Sequence, residues 1–238
     1  MEIDLNCDLG EGCPFDAELM PLITSANVAC GFHAGDPATA RATLLLAARH
    51  GVQAGAHPSF NDRESFGRRE LDTPPEQVFA ECVYQVGALA ALARSVGITL
   101  SHVKPHGALY NMACRDDALA QPVAEAAALF GLPVLGLPGS RLALWHGLGP
   151  RDNAGRYGFV AEGFADRRYQ PDGSLVPRTR PDAFVENPAD AVRQAEWLVR
   201  EKGVRTLCVH GDNPQAVAFV RALREALERQ GIAVRKFA

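Results

Sequence analysis

Reactive side chains recur in this chain wherever a short apolar run ends. The clusters are Asp4–Asp8 with Glu11 behind it, Ala29–Asp36, Gly55–Pro58, Val103–Gly107, Ala161–Arg167 and Val209–Asn213. If the runs are parallel strands, their carboxyl ends meet at one end of one sheet. Because α/β folds bind ligands at the open ends of parallel strands, the pattern predicts an active site there.

Histidines are concentrated at these predicted strand ends. Five of the seven lie at or near one, namely His33, His57, His102, His106 and His210. A single histidine is more often a hydrogen-bonded core residue than a catalytic one, but five histidines on one rim favour a catalytic or ligand-binding role. His102 and His106 have the spacing of a helical metal pair, yet Pro105 and the apolar pattern predict a strand. Residues i and i+4 of a strand lie about 13 Å apart, so we reject this pair as ligands of one metal ion.

Carboxylates share the same rim. They are Asp4, Asp8, Glu11, Asp36, Glu162, Asp166 and Asp212. Clustered carboxylates and imidazoles can supply a general acid and base, or they can hold a divalent ion, and spacing alone does not choose. Lys104 could neutralise a phosphate or stabilise an oxyanion, with a rim salt bridge as the alternative. Asp36 and Asp212 stand just before helices that open on proline, so helix capping is their alternative role.

The elements that must position these residues alternate between strand and helix. Strands are predicted at 2–7, 25–30, 53–57, 99–104, 133–137, 158–162, 206–210 and 232–236, and helices at 37–50, 75–95, 117–130, 140–146, 188–202 and 214–230. Glycine follows most of the helices and proline opens several, as expected for helix ends and starts. The alternation predicts an α/β fold in which residues 1–238 form a single (β/α) barrel domain of about seven parallel strands.

Two long, arginine-bearing loops interrupt this rhythm, at 58–74 and 164–187. Loops of this length in compact α/β domains are often binding loops, and a solvated insertion is the alternative. The first contains Arg69 and the second contains Arg167. Both arginines are therefore candidates for holding an anionic substrate.

The composition excludes several classes of function. A net charge of −4 gives no reason to expect nucleic acid, and no apolar run is long enough to span a membrane. Six cysteines without a CxxC pair argue against a disulfide framework or a zinc knuckle. No signal-peptide pattern opens the chain, so the cytoplasm is the expected compartment. No phosphate-binding loop of the P-loop or dinucleotide type is present, so a nucleotide must bind in another way or on a partner.

Several long motifs resemble one known family. They are Asp4–Glu11, Ser25–Pro37, Gly55–Phe60, Gly67–Arg69, Val103–Asn111, Glu162–Arg167 and Cys208–Asp212. In this order they resemble the LamB/YcsF family, which includes the A component of the bacterial ATP-dependent 5-oxoprolinase. The stretch Gly12–Asp16 departs from the family pattern by being shorter. The resemblance implies a barrel of the glycoside hydrolase/deacetylase type, cleavage of 5-oxo-L-proline to L-glutamate with ATP hydrolysis, and two partner subunits, B and C.

The roles that follow from the residues and the resemblance fall into three groups. We expect acid and base chemistry from Asp8, Glu11, His33 and His57. We expect Lys104, His106 and an arginine, either Arg69 or Arg167, to hold phosphate or the substrate carboxylate. We expect Asp36, Glu162, Asp166, His210 and Asp212 to bind substrate or to orient water, a metal ion or the other side chains. ATP is the expected cofactor, and Mg²⁺ is a further candidate.

Two alternatives remain open from the sequence. The first is a metal-dependent amidohydrolase or deacetylase that acts alone, as the implied superfamily includes such enzymes. The second is a non-catalytic scaffold subunit that binds substrate and positions its partners.

Overall fold

The computed structural model describes residues 1–145, 158–185, 187–210 and 215–237. Its strands are β1 (Glu2–Leu9), β2 (Ser25–Ala29), β3 (Gln53–His57), β4 (Leu100–Val103), β5 (Val134–Gly136), β6 (Phe159–Phe164), β7 (Thr206–Val209) and β8 (Ala233–Val234). Its α-helices are α1 (Asp16–Leu19), α2 (Pro37–His50), α3 (Pro75–Ser95), α4 (Gly107–Arg115), α5 (Asp117–Ala128), α6 (Arg141–Leu144), α7 (Pro188–Glu201) and α8 (Ala216–Arg229). A short 3-10 helix spans Met20–Leu22.

The strands close into a parallel barrel. Strands β2 to β7 follow one another in chain order, and β1 pairs with both β7 and β2, which completes a ring of seven. Strand β8 adds a short parallel pairing to the beginning of β1. The predicted α/β barrel of about seven parallel strands is therefore confirmed. Because every strand of the ring runs the same way, all the carboxyl ends meet at one opening.

Strand β1 shows how the barrel divides its side chains between two faces. Ile3, Leu5, Cys7 and Leu9 are buried among the apolar side chains of the surrounding helices. The alternate residues carry polar side chains, as the period of two along a strand requires. The interior of this barrel is correspondingly polar, and its buried polar strand residues include Asp4, Asn6, Ser25, Asn27, His102, Glu162 and Thr206.

Hydrogen bonds connect these interior groups across the barrel. Asp4 accepts hydrogen bonds from the hydroxyls of Thr24, Ser25 and Thr206. Asn6 donates to Glu162 Oε1 at 3.0 Å and to Thr206 Oγ1 at 2.6 Å. Buried polar groups without partners are costly, so this network is what permits a polar barrel interior.

Local signals account well for the long helices. Helix α2 begins at Pro37, where Asp36 caps it by accepting a hydrogen bond from Thr39 N at 2.8 Å. The helix ends at His50, and Gly51 follows with φ +64. Both bounds match the prediction, as do those of α3 and β3. The periodicity does not predict α4, a nine-residue helix containing Gly107 and Asn111, which are weak helix formers. Burial of one face of α4 stabilises it instead.

No helix in the described part of the chain combines the length and the apolar character needed to cross a bilayer. The six cysteines are all free thiols.

The buried Asp4 carboxyl makes a prediction about stability and pH. Burial raises its pKa to about 6, against the opposing effect of the hydroxyls that donate to it. The native state therefore holds this proton more tightly than the unfolded chain, and the free energy of unfolding should fall as pH rises from about 4 to about 6. For Asp4→Asn we expect this fall to shrink by about 3 kcal/mol, from two pKa units at 1.36 kcal/mol each. Urea denaturation of both proteins across this pH range measures the difference, and parallel curves would contradict the prediction.

Candidate functional site

Four buried side chains from four segments converge at the open end of the barrel. Glu11 follows β1, His33 precedes α2, His57 ends β3 and His106 precedes α4. We call these four residues the histidine cluster. Glu11 Oε1 lies 3.0 Å from His33 Nε2, 3.7 Å from His57 Nε2 and 3.4 Å from His106 Nδ1. His57 Nε2 and His106 Nδ1 are 3.0 Å apart, and the rings of His33 and His106 stack with centroids 3.8 Å apart.

The outward-facing nitrogen of each imidazole has its own partner. His57 Nδ1 donates to the carbonyl of Lys104 at 2.7 Å, and His106 Nε2 donates to the carbonyl of Phe66 at 2.8 Å. His33 Nδ1 lies 3.1 Å from Ser59 Oγ, and that hydroxyl donates onward to the carbonyl of Phe60. All three rings are thereby fixed in orientation.

Backbone contacts between loop 58–74 and the start of α4 hold this arrangement together. Ala108 N donates to the carbonyl of Gly67 at 2.9 Å. Gly107 has φ +54, and a Cβ there would lie 2.4 Å from the same carbonyl oxygen. Only glycine permits this approach, which brings Phe66 and His106 together.

Lys104 occupies the middle of the barrel opening and is almost fully buried. Its Nζ donates to Asp8 Oδ1 at 2.9 Å and lies 3.0 Å from both Glu162 Oε1 and Cys208 Sγ. Burial disfavours the ammonium, but Asp8 and its other neighbours more than offset this and raise the pKa of Lys104 well above its usual range. Lys104 is therefore a fixed positive charge.

The neighbouring groups have opposite pKa shifts. Burial alone would raise the pKa of Asp8, but His57 and Lys104 outweigh it and hold that pKa well below its usual range. Burial would lower the pKa of His57, but Asp8 and Glu11 raise it. Burial and the adjacent imidazoles lower the pKa of His106 well below its usual range. The opening thus combines an ionised carboxylate and an ammonium with imidazoles that can take up or release a proton.

Asp166 and His210 form a second pair near Lys104. Asp166 Oδ2 accepts hydrogen bonds from His210 Nδ1 at 2.8 Å and from His210 N at 2.9 Å. Burial opposes ionisation of Asp166, but His210 overcomes this and lowers its pKa. The His210 ring stacks on Phe164, whose ring lies 5.3 Å from Lys104 Nζ.

A cavity of about 710 Å³ opens beside α4. Its lining includes Gly107, Ala108, Leu137, Gly139, Arg167 and Arg178. The Arg167 and Arg178 guanidiniums lie 5.3 and 5.5 Å from the centre of the Phe184 ring. Burial and the charge of Arg178 lower the pKa of Arg167 to about 10, and within the described structure the Nε of Arg167 has no hydrogen-bond partner. Two guanidiniums that line the same cavity favour an anion.

The structure brings most of the predicted site residues together and leaves three elsewhere or undescribed. Asp36 is exposed and caps α2, the alternative role noted from the sequence. Arg69 has a side chain that is 59% exposed and pairs with Asp62 at 3.0 Å, so of the two predicted arginines only Arg167 lines the cavity. Asp212 lies outside the described residues.

His102 and His106 belong to separate hydrogen-bond networks. This agrees with the prediction that they are not two ligands of one metal ion. His102 Nε2 contacts Asn27 Oδ1 at 2.6 Å inside the barrel, whereas His106 belongs to the histidine cluster. Burial and the charge of Lys104 lower the pKa of His102 to about 3, so it is a neutral structural residue.

Four further residues contact the site but were not predicted from the sequence, namely Asn6, Asn27, Ser59 and Cys208. Asn27 donates to Asn6 Oδ1 and to Asp8 Oδ1, both at 2.7 Å, and so aligns the carboxylate that Lys104 contacts. The signal for Asn6 was present, because Asp4, Asn6 and Asp8 alternate with apolar residues and must share the interior face. In the sequence, Cys208 looks like a small apolar core residue. Only the structure shows that it contacts the Lys104 ammonium.

Two groups of side chains in the described structure could hold a metal ion, with ligand atoms within 4.8 Å of one another. One is the histidine cluster, and the other is Asp8, Cys208 and His210. Three imidazoles and a carboxylate resemble zinc sites more than magnesium sites, since Mg²⁺ prefers oxygen ligands.

Comparisons with known proteins match this chain over its whole length. A family model described as the LamB/YcsF family matches residues 3–238. A lactam utilization protein from Thermus thermophilus is 42% identical, with 100% of each chain covered and a TM-score of 0.86.

More distant structures share the architecture. A family 4 carbohydrate esterase from Streptomyces lividans is 12% identical, with a TM-score of 0.53, and covers 100% of this chain and 93% of its own. A polysaccharide deacetylase from Bacillus cereus is 15% identical, with a TM-score of 0.52, and covers 100% and 92%. At these identities they establish the fold alone, which is the deacetylase-type barrel expected from the sequence.

Proposed function

This chain belongs to the LamB/YcsF family, and we propose from that membership that it is one subunit of an ATP-dependent 5-oxoprolinase. The enzyme would hydrolyse the lactam 5-oxo-L-proline to L-glutamate. This chain would act together with two partner subunits, B and C. The observation that carries the proposal is the buried ammonium of Lys104, held between Asp8 and Glu162 at the barrel opening. Such a charge suits a reaction in which negative charge develops on a carbonyl oxygen or is delivered as phosphate.

The chemistry explains why ATP would be needed. A five-membered lactam has little ring strain and a poor amine leaving group. Transfer of the γ-phosphoryl group to the lactam oxygen releases ADP and makes the ring carbon a strong electrophile. Water then adds to that carbon, and the C–N bond breaks as nitrogen takes a proton, which gives γ-glutamyl phosphate. A second water hydrolyses this acyl phosphate to glutamate and inorganic phosphate.

The residues of the opening suit these steps. The Lys104 ammonium would stabilise charge on the lactam oxygen before and during phosphoryl transfer. Asp8 would orient Lys104 and His57, and as an ionised carboxylate it would accept the proton of the attacking water. The Asp166–His210 pair would protonate the leaving nitrogen.

We place the nucleotide in the arginine-lined cavity. Its volume of about 710 Å³ lies within the usual range for ligand sites, roughly 300–1,000 Å³. Arg167 and Arg178 would hold the phosphate groups, and the wall formed by Gly107 and Ala108 connects the cavity to the histidine cluster.

Substitution of Arg167 tests this placement. For Arg167→Met we expect the Kd for MgATP to rise by about 10- to 100-fold, since a hydrogen bond to a charged group contributes roughly 1.5–3 kcal/mol. Isothermal titration calorimetry on the variant, with Arg193→Met as the exposed control, gives the measurement. Circular dichroism checks that loss of the Arg167 bond to the Val176 carbonyl has not unfolded the loop. Unchanged nucleotide affinity in a folded variant would place ATP elsewhere.

The function itself is tested by reconstitution. The chain mixed with subunits B and C should hydrolyse ATP only when 5-oxoproline is present, and should form one glutamate per ATP. If Asp8→Ala, His33→Ala and Lys104→Ala variants all retained this activity, the assignment of the site would fail. If these variants weakened 5-oxoproline binding but left the turnover rate of the saturated complex intact, the scaffold role would replace the catalytic one.

The histidine cluster favours a second candidate function, a metal-dependent amide hydrolase that acts alone. Three imidazoles with a carboxylate are a donor set used by catalytic zinc sites. Amide hydrolysis by the isolated chain, lost with a chelator and independent of ATP, would support this candidate over the 5-oxoprolinase.

A further inference from the structure

The distances within the histidine cluster match those between the ligands of one small metal ion. Zn²⁺ binds histidine nitrogen at about 2.0–2.1 Å in a tetrahedral arrangement, which places neighbouring ligand atoms roughly 3.3 Å apart. The four contacts measured here between ligand atoms are 3.0, 3.0, 3.4 and 3.7 Å. The side chains of the cluster are at most 7% exposed, so bulk water has little access to these four ligand atoms.

The outer hydrogen bonds determine which nitrogen of each ring carries the proton. A carbonyl oxygen only accepts, so His57 carries hydrogen on Nδ1 and His106 carries it on Nε2. The Ser59 hydroxyl donates to the Phe60 carbonyl and can only accept from His33 Nδ1. In the neutral rings, the three remaining nitrogens are lone pairs, and all of them face Glu11 Oε1.

This arrangement favours a bound cation. His57 Nε2 and His106 Nδ1 are 3.0 Å apart, and two lone pairs at that distance repel each other unless a positive centre lies between them. A proton on one ring could satisfy one such pair. That proton would not reach the third imidazole or the carboxylate oxygen, whereas a single metal ion contacts all four donor atoms at once.

We propose that the histidine cluster binds one divalent transition-metal ion of the zinc class, through Nε2 of His33, Nε2 of His57, Nδ1 of His106 and an oxygen of Glu11. Carbonyl groups behind metal-binding imidazoles are the usual means of fixing their orientation, and two of the three rings have one. The nitrogen-rich donor set favours zinc, cobalt or nickel over magnesium or calcium. A bound ion of this class would supply Lewis-acid activation of a carbonyl group.

The proposal goes beyond the 5-oxoprolinase function and does not depend on it. It involves neither 5-oxoproline, ATP nor the partner subunits, so the isolated full chain suffices for the test. Metal binding can be present even if the chain is no 5-oxoprolinase, and it can be absent even if the chain is one.

Direct titration decides the matter. The chain, stripped with a chelator and dialysed, is titrated with Zn²⁺, Co²⁺ and Mg²⁺ by calorimetry, and the visible absorption of the Co²⁺ form is recorded. We expect one Zn²⁺ per chain with a Kd below about 1 μM, the intense visible bands of four-coordinate Co²⁺, and Mg²⁺ binding weaker by about 100-fold or more. Absence of Zn²⁺ binding, or a six-coordinate Co²⁺ spectrum with Mg²⁺ of equal affinity, would overturn the proposal.

Variants locate the ion. Glu11→Gln and His106→Asn should each weaken Zn²⁺ binding by about 100-fold or more, and Ser59→Ala should weaken it about 10-fold through His33. His50→Ala, on the exposed end of α2, serves as the histidine control and should bind like the wild type. His210→Ala tests the second group of potential ligands. Loss of the site in His210→Ala together with its retention in His106→Asn would assign the ion to Asp8, Cys208 and His210 and refute the proposal.

Discussion

Replacement of Lys104 by methionine is expected to reduce 5-oxoproline-dependent turnover of the reconstituted complex by about 10³-fold, similar to the loss of a strong oxyanion donor. The substitution keeps the length of the side chain and removes its charge. Asp8 and Glu162 would then face each other across the opening without the ammonium that lies 2.9 and 3.0 Å from them. Breaking a buried ion pair costs about 3–5 kcal/mol, so the variant should also be less stable.

The two effects of this substitution can be separated. In Lys104→Met with Glu162→Gln, one uncompensated charge is gone, so much of the stability should return while turnover stays low. Lys202→Met is the matched control, since Lys202 is exposed at the end of α7 and packs over Trp197. Recovery of turnover along with stability in the double variant would show that Lys104 has only a structural role.

Gly55→Ala should be the most destabilising small substitution in the barrel. A Cβ at this position would lie 2.1 Å from His102 Nε2 and 2.2 Å from His102 Cδ2. His102 is fully buried and bonded to Asn27, so its ring has no room to withdraw. We expect a loss of at least about 3 kcal/mol in the free energy of unfolding, at the upper end of the cost of overpacking. Chemical denaturation measures it.

The chain offers a matched control for this prediction. At Gly87, in the middle of α3, a Cβ would only reach ordinary contact with Phe130 at 3.5 Å. Gly87→Ala should therefore stabilise the protein by about 0.5–1 kcal/mol through helix propensity. The double variant Gly55→Ala, His102→Ala should be more stable than the sum of its single variants predicts, because the clash is gone. Strict additivity would argue against a direct clash.

The sequence predicted elements best where local signals define both ends. Helix α2 has a capping Asp36, a first-turn proline and a terminal glycine within the same stretch, and its bounds match the prediction. Helix α4 lacks such signals and depends on burial against distant elements, which no local pattern contains. The barrel followed from the alternation of strands and helices, since parallel strands need crossover connections.

The sequence predicts where the candidate site lies better than it predicts how the side chains are arranged within it. Topology alone brings strand ends together, so the rim residues Asp8, His57 and Lys104 could be foreseen as neighbours. The proton positions on the imidazoles could not be, because the Phe66 carbonyl that faces His106 comes from a loop 40 residues away. Arg69 and Arg167 were equivalent in the sequence, and only the fold separates an exposed arginine from a buried one.

The position of β1 in the ring has a consequence for the order of folding. This strand is synthesised before the other strands of the ring, yet its interior side chains bond to partners on β6 and β7: Asn6 to Glu162, 156 residues away, and Asp4 to Thr206, 202 residues away. Such distant pairings slow folding, because the loop entropy is lost before the contacts form. During synthesis, these two sets of bonds therefore cannot form until β6 and β7 have emerged. Lys104 meets Glu162 only at that late stage, so a chain truncated before β6 would contain most of the rim's reactive residues without the charge balance that organises them.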